Sequence, residues 1–124
     1  MAIKINLEST VIPVEIGDLK FQIDISDEQY DAFSKTFNVF LEEMRHLGAE
    51  EEEDLVLIRE KQEKVYNILL GEGAFGAIYE RIPSIASTLG ILNQIVVYLE
   101  EELAQRLVGQ PIKKVEKPKS TKKK

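Results

Sequence analysis

The chain has 124 residues, a formal net charge of −6, no Cys and a single His, His46. This length suits one domain, and a chain without Cys has no disulfide framework, thiol nucleophile or thiolate metal site. One His leaves too few ligands for an ordinary zinc site. Its position just before Leu47 and Gly48 favours a structural role at a helix C-terminus, where an imidazole complements the helix dipole.

Charge is distributed unevenly along the chain. Residues 110–124 contain seven Lys and one Glu, which leaves 9 basic and 21 acidic side chains in residues 1–109. An acidic body argues against nucleic-acid binding through the folded part, because phosphate contacts need a basic surface. We predict that residues 1–109 form a single domain. Residues 110–124 are too poor in apolar side chains for a core and are predicted to be a disordered, Lys-rich tail.

The first 25 residues show the alternation of β-strands. Apolar side chains occupy every second position in two runs, Ile12, Val14 and Ile16, then Leu19, Phe21, Ile23 and Ile25. Gly17-Asp18 between the runs supplies a two-residue turn, so we predict a β-hairpin. The same alternation at residues 2–8 allows a third short strand. Pro13 cannot donate a ladder hydrogen bond and must therefore face an edge or a bulge.

A helix is predicted from Ser26 onwards. Ser26-Asp27-Glu28-Gln29 has the pattern of a capping box, in which the Ser oxygen accepts from an N-terminal N–H and Gln29 reaches back. An apolar stripe at three- and four-residue spacing follows and predicts a helix over 27–47 that ends at Gly48. The stripe consists of Tyr30, Phe33, Phe37, Phe40, Leu41, Met44 and Leu47.

Residues 50–54 are five consecutive acidic residues. At the start of a helix such charges interact favourably with the dipole. The alternative is a calcium site, but the run lacks the spaced ligands and the Gly of an EF-hand loop. Apolar residues at helical spacing follow, so we predict a helix over 51–70 that ends at Gly71.

Residues 71–76 match G-x-G-x-x-G, the pattern of a dinucleotide-binding loop. That loop requires a strand before it and a helix after it. Here Val65, Ile68 and Leu69 precede it at helical spacing, and Glu72 would place a negative charge beside the phosphate. We therefore interpret the segment as a helix C-cap at Gly71 and a tight turn into a second helix.

Two further helices are predicted, at 74–81 and 84–107, separated by Pro83 and with Ser84 as a cap. The second overlaps the longest uncharged stretch, residues 82–99, whose many polar members favour a buried or partner-covered helix over a membrane span. It carries two apolar stripes. One is Ile85, Leu89, Leu92, Val96, Leu99, Leu103 and Leu107, and the other is Ile91, Ile95 and Tyr98. Either the second stripe contacts a partner or the whole helix is central in the bundle.

Together these elements predict an α+β fold that is mainly helical, with an N-terminal β-hairpin followed by four helices. The characteristic segments are residues 12–17 with Phe21, Ser26-Asp27-Glu28, Gly71-Glu72-Gly73-Ala74-Phe75 with Ile78-Tyr79, and Ser84 before a long apolar helix ending in Glu101-Glu102-Leu103. Their order and spacing, over roughly residues 3–107, resemble the tail assembly chaperones of siphophages and prophages of Gram-positive bacteria.

The resemblance implies a non-enzymatic role without cofactors. Members of this family bind the long, helical tape measure protein, keep it soluble while the tail tube polymerises around it, and leave before the tail is finished. Many are also made in a longer form by a ribosomal frameshift, which implies the tail tube protein as a second partner. The expected location is the cytoplasm of the bacterial host and not the mature virion. A homo-oligomer is compatible with this role.

Two other classes of function compete with the chaperone. One is a small acidic adaptor or inhibitor of a single folded partner, of the anti-restriction or antitoxin type. The other is an enzyme, but the sequence offers no combination of nucleophile, base and orienting group, so we assign no catalytic, cofactor-binding or metal-binding residue. The candidate partner-binding residues are Ile91, Ile95, Tyr98, Phe75 and Tyr79.

Overall fold

A computed structural model describes residues 1–47 and 52–108 of the chain. A β-hairpin is followed by four helices, which confirms the predicted α+β, mainly helical fold. The elements are β1 (Val11–Ile16), β2 (Leu19–Asp24), α1 (Asp27–Met44), α2 (Glu52–Leu70), α3 (Ala74–Arg81) and α4 (Ile85–Leu107). The expected tail at 110–124, the helix stop expected at Gly48 and the acidic residues 50–51 lie outside the described residues.

The hairpin has the predicted turn and an amphipathic sheet. Gly17 adopts φ +60° while Asp18 has no positive φ, as in a type II′ turn, and Ile16 pairs with Leu19. The register continues to Val11 opposite Asp24, and odd positions of β1 are exposed while even positions are half-buried. The period of two therefore turns one apolar face of the hairpin away from water.

The third strand that the sequence allowed at residues 2–8 does not form, and these residues are exposed. The outer edge of β1 explains why. Pro13 has no N–H, and the N–H of Val11 donates to Ser9 Oγ at 3.0 Å. An additional strand would find little to pair with on that edge.

The expected capping box also does not form, although Ser26 is the N-cap of α1. Within the described part of the chain, the Ser26 side chain makes no capping hydrogen bond. Its backbone N–H, which Gln29 was expected to bind, donates instead to Asp24 Oδ1 at 2.9 Å. By contrast, the predicted cap at Ser84 is confirmed, because Ser84 Oγ accepts from the Ser87 N–H at 3.1 Å.

Contacts within the chain group into two units, Met1–Leu89 and Gly90–Lys124, which divide within α4. In the first unit α2 contacts α1, α3 and β2. The core of this unit consists of Ile23, Ile25, Phe33, Phe40, Ile58, Val65, Tyr66, Leu69, Leu70, Ala74, Phe75 and Ile78. In the second unit the described residues continue α4, where Leu92, Ile95 and Leu99 are buried.

A buried polar cluster fixes the start of α4 in the first unit. Gln62 Nε2 donates to the Ile85 carbonyl oxygen at 3.2 Å, and the Tyr66 hydroxyl donates to the Thr88 carbonyl oxygen. Thr88 Oγ1 donates to the same Ile85 carbonyl oxygen at 3.0 Å. Because buried polar groups need specific partners, these bonds select one position of the first turn of α4 against α2.

The hairpin turn is tied to the end of α3 by an ion pair. The Arg81 guanidinium donates to both carboxylate oxygens of Asp18 at 3.0 Å. These hydrogen bonds and the positive charge lower the pKa of Asp18 below its ordinary value of 3.8, and they raise the pKa of Arg81. Both side chains are largely exposed, so the pair orients the turn more than it stabilises the fold.

Candidate partner-binding surface

The glycine-rich segment is a turn between two helices. α2 precedes it and α3 follows it, so the strand that a dinucleotide-binding loop requires is replaced by a helix. Gly71 and Gly73 adopt φ +110° and +84°, which only glycine reaches without strain. The Ala74 N–H donates to the Gly71 carbonyl oxygen at 3.1 Å. The predicted C-cap and tight turn are therefore confirmed.

An asparagine that the sequence analysis did not single out organises the same turn. The side-chain oxygen of Asn67, on the last turns of α2, lies 3.5 Å from the Phe75 backbone N–H, at the start of α3. A backbone N–H in the first turn of α3 is thus bound by a side chain of the preceding helix, because Gly73 at the N-cap position has no side chain that could accept a hydrogen bond. The only sign of this contact in the sequence is that an Asn stands four residues before Gly71.

Phe75 and Tyr79, two of the five candidate residues, belong to an aromatic cluster. Phe75 is buried, with its ring centroid 5.6 Å from that of Tyr66 and 5.5 Å from that of Tyr79. Tyr79 is half-buried, and the Arg59 guanidinium carbon lies 4.5 Å from the centroid of its ring. Phe75 therefore acts as a core residue, and the ring of Tyr79 already has a cation–π contact.

The other three candidates lie on α4 and differ in exposure. Ile95 is 7% exposed, Ile91 is half-buried and Tyr98 is 70% exposed. The buried line of the helix passes through Leu92, Ile95 and Leu99, at steps of three and four residues. The grouping of Ile95 with Tyr98 on one stripe was therefore wrong: Ile95 shares the buried line, and Tyr98 turns away from it.

A second apolar residue, Val97, accompanies Tyr98 at the exposed side of α4. Five residues line a shallow depression there, and we call them the Tyr98 face: Asn93, Gln94, Val97, Tyr98 and Glu101. They fall at steps of three and four residues around Val97 and Tyr98, as one helix surface requires. Val97 belongs to neither stripe read from the sequence, which explains why it was missed.

The surroundings of the Tyr98 face are acidic. Glu100 and Glu101 are exposed, whereas Glu102 accepts from Arg106 Nε at 2.9 Å one turn later. Leu107 was expected on the buried stripe but is exposed, as is Val108. The exposed side of α4 thus combines apolar and acidic groups, a combination that suits contact with an amphipathic, basic surface.

Other kinds of site are not evident in the described ranges. Among residues 1–47 and 52–108, no group of three or more His, Cys, Asp or Glu side chains is placed to hold a metal ion. Over the same residues, no helix is long and apolar enough to cross a membrane. Comparison with protein-family models, with curated proteins and with solved structures finds no match to this chain.

Proposed function

We propose that this chain is a phage tail assembly chaperone, which binds the tape measure protein and keeps it soluble during tail-tube polymerisation. The observation that carries the proposal is the Tyr98 face, where Val97 and Tyr98 are 52% and 70% exposed next to the acidic run Glu100-Glu101-Glu102. The order and spacing of the hairpin, the glycine turn and the long apolar helix add the resemblance described above.

The physical requirements of a holdase fit this surface. A long amphipathic client helix exposes an apolar stripe that aggregates unless another apolar surface covers it. A large, semi-rigid Tyr beside Val offers such a surface at low entropic cost, and flanking carboxylates keep the free chaperone soluble. Binding of this kind needs no catalytic group, so the protein acts without chemistry.

The same proposal defines partners and location. The client is the tape measure protein, and the tail tube protein is a second partner of any frameshifted longer form. Assembly takes place in the cytoplasm of the bacterial host, and the chaperone leaves before the virion matures. With 21 acidic against 9 basic side chains in residues 1–109, the body is unsuited to binding nucleic acid.

Co-expression with the long tape-measure-like protein of the same genome tests the proposal. Val97→Glu places a charge on the Tyr98 face, and Val56→Glu is its matched control, because these two Val side chains on different helices are 52% and 55% exposed. We expect soluble client with the wild-type chain and with Val56→Glu, and aggregated client with Val97→Glu. If the wild-type chain neither solubilises the client nor forms a complex with it, the chaperone proposal fails.

The competing adaptor or inhibitor predicts a different complex. A chaperone of a long rod binds in many copies along its client, whereas an inhibitor binds one folded partner in one or two copies. The mass of the purified complex, measured by light scattering after gel filtration, separates the two. A complex of one copy with one folded partner would favour the adaptor.

A further inference from the structure

Residues 2–8 combine a strand pattern with full exposure. Ile3, Ile5 and Leu7 alternate with polar residues, and each of the three is at least 79% exposed. Three large apolar side chains exposed along one short segment are costly to leave in water. A β-strand partner would cover them, because alternate side chains of a strand share one face.

The hairpin has one outer edge that can accept such a strand. Ile25 N–H donates to the Thr10 carbonyl oxygen at 2.7 Å, which continues the ladder beyond Val11 and Asp24. By alternation, the backbone groups of Lys20, Gln22 and Asp24 point away from β1, and their N–H groups have no acceptor in the described part of the chain. The edge of β1 is blocked by Pro13, as described above, so the open edge is that of β2.

A cleft lined by both polar and apolar side chains runs beside this open edge. It has a volume of about 190 Å³, and its lining includes Gln22 and Asp24 from β2 together with Tyr30, Phe33 and Ile68 from the helices. A strand paired with β2 would turn every second side chain towards these helix residues. Ile68 is an exposed apolar residue on α2, and it would be covered by such side chains.

Charge selects the orientation of the added strand. In an antiparallel register with Asn6 opposite Gln22, Lys4 lies opposite Asp24 and Glu8 opposite Lys20, so both charged pairs are attractive. The same register places Ile3, Ile5 and Leu7 opposite Ile25, Ile23 and Phe21, on the apolar face. A parallel strand at the same positions would bring Lys4 beside Lys20 and Glu8 beside Asp24.

The segment cannot reach this position within its own chain. Glu8 would lie beside Lys20, while Val11 pairs with Asp24 at the other end of the hairpin. Four residues of strand separate these ends by about 13 Å, and the strand spacing adds to this distance. The three Cα–Cα steps from Glu8 to Val11 span at most about 11 Å.

We infer that residues 3–8 of one copy add as an antiparallel third strand to the free edge of β2 in a second copy of this chain. The pairing completes the apolar face of the hairpin and closes the cleft beside Ile68. It uses backbone edges and residues of the first unit only. It is therefore independent of the Tyr98 face and of the chaperone proposal.

Amide exchange with concentration tests the pairing directly. We expect the N–H groups of Lys20, Gln22 and Asp24 to exchange rapidly in dilute protein and to become protected as the mass measured by sedimentation rises. Ile5→Lys should weaken association at least about tenfold, because it removes a buried apolar side chain from the new strand. Asn6→Lys is the matched control: Asn6 would face solvent in the added strand, and this variant should associate like the wild type.

A charge exchange tests the register. Glu8→Lys and Lys20→Glu should each weaken association by about twofold to fivefold, and the double variant should recover it. Association that persists unchanged in Ile5→Lys overturns the inference, as does a wild-type chain that stays monomeric with the three N–H groups unprotected at every concentration. Stronger association of Lys20→Glu alone overturns the antiparallel register, since only a parallel strand would place Lys4 beside residue 20.

Discussion

Replacing Ile95 by Glu tests which line of α4 is buried. Ile95 is 7% exposed, so the new carboxylate would leave water with no partner provided for it. An unpaired buried carboxylate costs several kcal/mol, and the lost burial of the Ile side chain adds about 1.5–3 kcal/mol. A domain is stable by only about 5–15 kcal/mol, so this single change should remove most of the stability at neutral pH.

Tyr98→Glu is the companion variant, since Tyr98 lies three residues later on the same helix and is 70% exposed. Its free energy of unfolding should stay within about 0.5 kcal/mol of the wild type, as for other surface changes. Urea denaturation followed by far-UV circular dichroism measures both variants. If Ile95→Glu unfolds with the same free energy as Tyr98→Glu, the assignment of the buried line through Leu92, Ile95 and Leu99 is refuted.

Three further predictions concern stability at the turns and the elements beside them. Gly73→Ala should lower the free energy of unfolding by about 1–2 kcal/mol, because φ +84° is strained for any residue with a Cβ. Gly76→Ala, in α3 with open space around the added Cβ, should raise it by about 0.5–1 kcal/mol, and thermal melts that rank the two variants alike would contradict the turn geometry. Arg81→Ala should lower the melting temperature only slightly, and high salt should remove the difference, since its ion pair with Asp18 is exposed. The Ser26 and Thr10 hydrogen bonds lower the pKa of Asp24 below 3.8; its contribution is therefore present above that pH and lost below it, so the stability gap between wild type and Asp24→Asn should close in acid.

Local chemistry made the turns and helix boundaries predictable from the sequence. Gly17-Asp18 between two alternating runs fixes the hairpin, because a two-residue turn sets the register of both strands. Gly71 marks the end of α2, and Ser84 marks the start of α4. Both signals are local, because the hydrogen bonds that each residue makes involve backbone groups only a few residues away. Such signals depend little on the rest of the fold.

Where two local partners competed for one group, the sequence could not decide between them. Asp24 and Gln29 are both able to accept from the Ser26 N–H, and the structure gives that bond to Asp24. The third strand that the sequence allowed at residues 2–8 does not form on the edge of β1 for a similar reason, because the Val11 N–H donates to Ser9 Oγ and Pro13 has no N–H. In both cases the residue nearer in sequence formed the bond, at the lower cost in chain entropy.

The faces of α4 were not predictable for a different reason. Apolar residues stand almost all around this helix, so several lines of three- and four-residue spacing fit the sequence equally well. Only tertiary packing chooses the line through Ile95, and that choice leaves Val97 and Tyr98 exposed. Folding alone gives no reason for Val and Tyr at these exposed positions, because polar side chains there would make the protein more soluble. Their presence is the physical reason to seek a partner at the Tyr98 face rather than around Phe75, whose ring is already enclosed.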